Sequence, residues 1–401
     1  MKAGWRTASL SAVSEIKPPK AEARRQISAD DLVSFVPMEA LGIDQKFLVP
    51  TQTRPLSEVA GSYTYFADGD VLLAKITPCF ENGKLGIAAN LVNAIGFGSS
   101  EYIVFRPDAS LNKEWLYYFL SRESFRLEGA ARMTGAVGHK RVAKEFIEGY
   151  PIPIPPLSEQ QRIVTLLDEA FEGIATARAH AEKNLQNVRA IFESHLQSVF
   201  TQRGEGWQDK TLEQISMTFG RGKSRHRPRN EPKLYGGKYP FIQTGDIRNA
   251  GHFITEYSQT YSDLGLAQSK LWPKGTICIT IAANIAETGI LGFDACFPDS
   301  VIGVVPNPAE AEVGFVEYLL QSFKVRIQAL GQGSAQANIN MGTFENERFP
   351  FPGVEEQRRI VAKLDDLSEE TQRLESVYQQ KLAALDALKK SLLHRAFSGQ
   401  L

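Results

Sequence analysis

From Ile163 onward, apolar or small side chains recur at Leu167, Ala170, Ile174, Ala177, Ala181, Leu185, Val188, Phe192, Leu196 and Val199, in steps that almost always alternate between four and three. That spacing places one apolar stripe along one side of a long helix and reads as a coiled-coil seam. A second seam runs through Ile360, Leu364, Leu367, Thr371, Leu374, Tyr378, Leu382, Leu385, Leu388 and Leu392. A helix of roughly 40 residues is on the order of 60 Å long, more than a small domain is wide. Each is therefore expected to pair with the other rather than only fold back on its own neighbour. The pairing positions expected to matter most are Ile163, Leu167, Ile174, Leu185, Val188 and Phe192, facing Ile360, Leu364, Leu374, Leu382, Leu385 and Leu388.

Elsewhere the period changes. Val71-Leu72-Leu73-Ala74 and Thr276-Ile277-Cys278-Ile279-Thr280-Ile281 are short apolar runs bounded by glycines and predict buried strands. Residues 115–120 and 315–320 predict amphipathic helices, so the fold class is α+β. The approach to the first long helix, Pro151, Pro153, Pro155 and Pro156, is held extended, and Ser158 with Gln161 fits an S-x-x-Q capping box. Gly204 and Gly399 mark the helix exits.

These patterns come in pairs because the chain is written twice. Leu157-Ser158-Glu159-Gln160-Gln161-Arg162-Ile163-Val164 is answered by Val354-Glu355-Glu356-Gln357-Arg358-Arg359-Ile360-Val361. Trp5, Leu10, Val13 and Ser14 are answered by Trp207, Leu212, Ile215 and Ser216; Glu81, Gly83, Leu85 and Gly86 by Glu287, Gly289, Leu291 and Gly292. The implied organisation is a globular domain over 1–155, a helical spacer over 156–203, a second globular domain over 204–352 and a second spacer over 353–401. If the halves are related by a pseudo-dyad, the helices run antiparallel. A two-fold molecule suits a two-fold partner, such as a pair of identical subunits or the half-sites of a duplex.

Charge sharpens this picture. The net charge of −1 does not describe a chain coated in basic residues. The spacers are close to neutral, with 5 basic and 6 acidic residues over 158–203 and 8 of each over 353–401, and are not built to grip phosphates. Between Gly220 and Lys238, however, Arg221, Lys223, Arg225, Arg227, Arg229, Lys233 and Lys238 meet one acid, Glu231. No apolar run is long enough to span a bilayer, and residues 1–6 lack the apolar core of a signal peptide, so no membrane partner and a cytoplasmic location are expected. Cys79, Cys278 and Cys296 form no C-x-x-C pair.

At this point the residues resemble a known family, the specificity (S) subunit of bacterial and archaeal Type I restriction-modification systems. The resemblance rests on the stretch 153–164 with its twin and on Ser391-Leu392-Leu393-His394-Arg395-Ala396-Phe397-Ser398-Gly399-Gln400-Leu401. It rests also on Tyr239-Pro240-Phe241-Ile242-Gln243-Thr244-Gly245-Asp246-Ile247 and Gly333-Ser334-Ala335-Gln336-Ala337-Asn338-Ile339-Asn340. It implies two target-recognition domains, each reading one half of a split double-stranded DNA site. The paired helices would set the spacing and dock two methyltransferase (M) subunits, with restriction/translocase (R) subunits in the full complex. S-adenosylmethionine, ATP and Mg would then sit on partner subunits and no cofactor on this chain. Phe35-Val36-Pro37-Met38 and Gly135-Ala136-Val137-Gly138-His139-Lys140 depart from their counterparts in the second half, which implies two unlike half-sites.

Catalytic motifs are missing. Gly222-Lys223-Ser224 has Met217 where a phosphate-binding loop needs glycine, and His139, His180, His195, His226, His252 and His394 form no zinc-hydrolase pair. The chain is expected to be a non-catalytic subunit; the competing reading is a coiled-coil scaffold that bridges proteins without reading DNA. DNA recognition needs cations and hydroxyls on phosphates together with Arg, Lys, Asn or Gln on base edges. Candidates in the first half are Lys75, Asn82, Lys84, His139, Lys140, Arg141 and Lys144. In the second half they are Lys223, Arg225, Arg227 and Arg229, then Gln243, Thr244, Asp246 and Arg248, then Gln336, Asn338 and Asn340.

Overall fold

The computed structural model describes residues 4–136, 138–226, 228–282, 284–331, 339 and 341–401. The chain divides into two compact units: residues up to Glu182 together with Gln380–Leu401, and Lys183–Gln379. Each unit thus takes the start of one long helix and the end of another, or the reverse. The helices themselves span Leu157–Thr201 and Val354–Ser398.

In the first unit, one four-stranded antiparallel sheet has the order Ser14–Ile16, Tyr102–Pro107, Val71–Ala74, Leu85–Ile87. The other orders Gln52–Pro55, Leu32–Val36, Ile95–Gly98, Thr64–Ala67, with one parallel pairing in its middle. A two-stranded ribbon, Arg6–Ser9 on Pro151–Ile154, ties the start of the domain to the approach of the first long helix. The second unit repeats the plan with a five-stranded sheet, a four-stranded sheet and the ribbon Gln208–Lys210 on Phe349–Phe351. The expected buried strands and the α+β class are present.

The helix Lys113–Leu120 differs from the amphipathic expectation, for residues 115–120 are all buried. One face packs on Leu73, Leu85, Ile87 and Phe105 of the sheet, and the other on Ile163, Val164 and Leu167 of the first long helix. Its last side is closed by Leu393, Ala396 and Phe397 from the end of the second long helix. The Phe397 ring lies 4.3 Å from Trp115 and 5.3 Å from Phe119. The second unit closes in the same way around Val313–Ser322. There Leu196 and Phe200 join Leu364 in one cluster, with Phe200 5.3 Å from Phe315.

Two glutamines explain why the E-Q-x-R motif recurs. Gln160 is fully buried; its Oε1 accepts from the Asn112 N–H at 2.8 Å, and its Nε2 donates to the carbonyls of Ser110 and Pro155, each at 2.9 Å. Gln357 does the same, accepting from Glu312 N–H at 2.8 Å and donating to Glu310 at 3.1 Å and Pro352 at 2.9 Å. One amide thus ties the long helix to the loop that caps the buried helix and to the proline approach. The capping box expected at Ser158 and Gln161 is not formed. The helix already begins at Leu157, the Pro156 carbonyl accepts from Glu159 and Gln160, and Gln161 accepts from the Asn112 amide at 2.9 Å.

Within each unit the two long helices run antiparallel. In the first, Lys389 reaches the Phe171 ring and Asp386 the Arg178 guanidinium at 2.5 Å. In the second, Arg189 meets Glu375 at 3.1 Å. Ile163, Leu167, Val188 and Leu364 are buried, while Ile174, Leu185, Phe192, Ile360, Leu374, Leu382 and Leu385 are half-buried. Leu388 is the exception, 46% exposed. Lys389 takes the inward position, its ammonium lying over the Phe171 ring at 5.6 Å and meeting Asp44 at 2.8 Å.

A tyrosine on each buried helix hydrogen-bonds a carboxylate on the long helix that follows it: Tyr118 to Asp168, and Tyr318 to Asp365 at 2.7 Å. In the first unit Lys46 binds Asp168 at 2.7 Å and also Glu114. In the second, His252 stacks on Tyr318 and its Nδ1 approaches the buried Glu317 to 2.6 Å, ion-pair range without hydrogen-bond alignment. Burial lowers the His252 pKa, but Glu317, with Asp365 and Glu312, outweighs it and holds it above the ordinary value. A raised folded pKa means that the pair stabilises the unit fully below the unfolded value of about 6.5 and loses that contribution as pH rises through the folded pKa. The destabilisation caused by His252→Gln, measured by denaturant unfolding, is therefore expected to shrink from pH 6 to pH 9. A constant difference would show the imidazole to be neutral throughout.

Candidate nucleic-acid interface

In the first unit the sequence candidates fall on two neighbouring turns. The turn after Val71–Ala74 carries Lys75, Asn82 and Lys84, and the segment from Thr134 to Arg141 closes on it through bridges from Arg141 to Ile76 and to Thr134. The backbone N–H of Thr77 also donates to Lys140 O at 2.9 Å. Asn82, His139 and Lys140 are exposed. Others are engaged: Lys84 donates to Met38 O at 2.8 Å, and Arg141 binds both oxygens of Glu101 at 2.9 and 2.7 Å. That fork-like pairing, with Lys75 4.0 Å away, pulls the Glu101 carboxyl below its ordinary pKa. Lys144 meets Glu148 at 3.3 Å.

In the second unit the basic segment follows the strand Ser216–Arg221 and is pinned by its backbone. The N–H groups of Arg225 and His226 donate to Gln268 Oε1 at 2.6 and 3.0 Å, and Ser269 Oγ donates to Lys223 O at 2.8 Å. The side chains of Lys223 and Arg225 are left exposed, without a partner among the described residues. Arg229 is paired with Asp299 at 2.8 Å. Beside them Lys270, which the sequence reading passed over, lies over the Trp272 ring at 3.6 Å. Burial, with Lys223 nearby, lowers its pKa, so positive charges here crowd without a compensating acid. A lone lysine before a strand gives no sequence signal of that role.

Gln243 caps the short helix Thr244–Asn249 in a reciprocal box with Asp246, whose carboxylate accepts from the Gln243 N–H at 2.8 Å. Gln243 Nε2 also donates to Gln259 at 2.7 Å. Asp246 is thus committed to the turn, whereas Thr244 is half-buried and Arg248 points to solvent. Arg227, Gln336, Asn338 and Asn340 lie outside the described residues. No metal-ligating group of three or more His, Cys, Asp or Glu is present among the described residues, and no described helix is long and apolar enough to cross a membrane.

Residues 5–185 and 204–384 each match the family described as the Type I restriction modification DNA specificity domain. The chain belongs to that family. It carries two specificity domains, each comprising a head and part of a long helix. It is similar to the EcoAI specificity subunit of the Type I restriction enzyme of Escherichia coli, 32% identical over 220 residues, or 54% of this chain and 35% of that protein. The Escherichia coli EcoEI specificity subunit is 39% identical over 163 residues, covering 40% and 27% respectively. The matched region is therefore well under two thirds of these relatives' lengths. In fold, the specificity domains resemble a chain from the structural work on "complex assembly and conformational transition of the type I R-M system". That chain has TM-score 0.81 at 20% identity, with 100% of this chain and 99% of that one covered.

Proposed function

We propose that this chain is the DNA-recognition subunit of a Type I restriction-modification assembly and reads a bipartite double-stranded site. Heads 1–155 and 204–352 each contact one half-site, and spacers 156–203 and 353–401 set the distance between them. The same spacers dock two methyltransferase subunits and, through them, motor-nuclease subunits. The chain is non-catalytic and works in the cytoplasm; S-adenosylmethionine, ATP and Mg belong to its partners. The observation that carries the reading is the doubling of a DNA specificity domain in one chain with two unlike sets of loop residues on one plan. A protein-bridging scaffold leaves the exposed cations at 223 and 225 without a use.

Phosphate contacts are assigned to Lys223, Arg225, Arg227, Lys140 and Lys144, and base-edge contacts to Gln243, Arg248, Asn82, His139, Gln336, Asn338 and Asn340. Lys75, Lys84, Arg141, Arg229, Thr244 and Asp246 shape the reading turns. The double variant Lys223→Ala/Arg225→Ala removes two exposed charges that no described residue binds. Duplex binding by the full chain is expected to weaken, and the slope of log K against log salt to fall by about 1.8, at roughly 0.9 per phosphate contact. An unchanged affinity with an unchanged slope removes this loop from the footprint, and a wild-type chain that binds no duplex even at low salt ends the proposal.

A further inference from the structure

The first unit contains a cleft that borders the recognition turns, sharing Lys75 and Lys144 with them, but extends beyond them to Lys17 and Lys20. It arises where an edge strand stops early. Ser14–Ile16 pairs with Tyr102–Pro107 as far as Phe105, and Lys17 N–H still reaches Val104 O at 2.8 Å. Then Pro18 and Pro19 follow, which have no N–H to donate. The corresponding strand of the second unit, Ser216–Arg221, continues along its partner to Ile302. In the first unit the chain instead turns away at Lys17, which adopts φ +62°, the left-handed region that a lysine occupies at a cost. The uncovered strand ends leave a cleft of about 480 Å³, in the size range of ligand sites.

Four lysines line it: Lys17, Lys20, Lys75 and Lys144. The single acid in its wall, Glu148, is taken by Lys144; Lys75 donates to Ser100 O at 3.0 Å and stands 4.0 Å from Glu101, whose two oxygens Arg141 binds, so Lys17 and Lys20 are the lysines of the cleft without a described acid. Thr64 also lines it. That side chain is only 8% exposed, yet its hydroxyl has no hydrogen-bond partner among the described residues. Lys20 is held by the Gly61 carbonyl at 2.7 Å, and its pKa is lowered by burial and by Lys17 and Arg24. Positive charge is therefore concentrated against its own repulsion, around an idle hydroxyl, at a place where the backbone is strained.

The geometry points to a phosphate-binding cleft, in which Lys17, Lys20 and Thr64 hold a phosphate group beside the turn that carries His139 and Lys140. Several ammonium groups give charge-assisted hydrogen bonds without fixed directions, as a phosphate seat needs, and Thr64 supplies a neutral donor. As a seat for a backbone phosphate of the duplex, the cleft rests on the DNA-recognition reading and anchors the first head without regard to sequence. A free polyphosphate offers the same chemistry.

The test uses the full chain and Lys17→Gly, which removes one charge while glycine relaxes the left-handed backbone, so its melting temperature is expected to stay level or rise. Duplex binding against salt and binding of inorganic tripolyphosphate by calorimetry are measured on wild type and variant. A salt slope reduced by about 1, equally on unrelated sequences, supports the cleft with DNA as the phosphate source. Loss of tripolyphosphate binding with an unaltered duplex slope supports it with a free anion as the source. If wild-type duplex binding is normal and the variant matches it in both assays, the cleft is refuted while the DNA reading stands. If the wild type binds tripolyphosphate through Lys17 but no duplex, the cleft stands and that reading falls.

Discussion

Phe397→Ala is expected to destabilise the first unit by about 3–5 kcal/mol, the usual cost of deleting a buried phenyl ring. The ring sits against Trp115 and Phe119, with the Arg122 guanidinium over the Phe119 ring at 3.8 Å. Truncation thus opens a cavity bordered by the largest side chains of that core, which cannot collapse into it without leaving their rotamers. Such a loss lowers the melting temperature of a unit of this size by roughly 10 °C. The second unit has its own cluster, closed by Phe200, while Phe397 belongs to the cluster of the first unit. Hydrogen exchange on the full chain should therefore show lost protection for amides in Lys113–Leu120 and retained protection in Val313–Ser322. Equal protection in wild type and variant would mean that the end of the second long helix does not hold the first head.

Much of this was legible in the sequence for a physical reason: duplication repeats constraints. A glutamine that must satisfy one N–H and two carbonyls in a buried joint is the same in both copies, so the repeat marks Gln160 and Gln357, although the sequence pattern alone points to Gln161, next to Gln160, as a cap. The helical seam was legible because burial of one stripe demands apolar side chains at a fixed period. Periodicity shows which stripe is inward, not what it meets, and it cannot see that a lysine with an aromatic ring and an acid as partners can take a leucine's place. Hence Lys389, not Leu388, faces inward.

The candidate interface was less legible. A run of cations in sequence shows charge but not its use, since the acids that quench it come from far along the chain. Arg229 finds Asp299, 70 positions on, and Arg141 finds Glu101, 40 positions back. What separates Lys223 and Arg225 from Arg229 is that long-range pairing, together with the anchoring of their backbone, Arg225 by Gln268 and Lys223 by Ser269. Lys17 and Lys20 had no signal beyond two prolines between them. Their meaning comes from a strand that ends early.

Gln160→Leu should be as damaging as loss of the phenyl ring, although it keeps the size of the side chain and adds apolar surface. Leucine can neither accept from the Asn112 N–H nor donate to the Ser110 and Pro155 carbonyls, and the position is fully buried. Each abandoned backbone group costs about 1–3 kcal/mol, so the three together cost roughly 3–9 kcal/mol. Gln160→Glu separates hydrogen bonding from shape. A carboxylate still accepts from Asn112 but faces two carbonyl oxygens, so it should be at least as unstable as leucine at pH 8 and recover part of the loss towards pH 5, where protonation restores one donor. Denaturant unfolding of both variants across that range reads the effect directly. A leucine variant within about 1 kcal/mol of wild type, which lies inside the spread of ordinary surface changes and modest repacking, would show that water enters the joint and that the recurring glutamine is kept for some other contact.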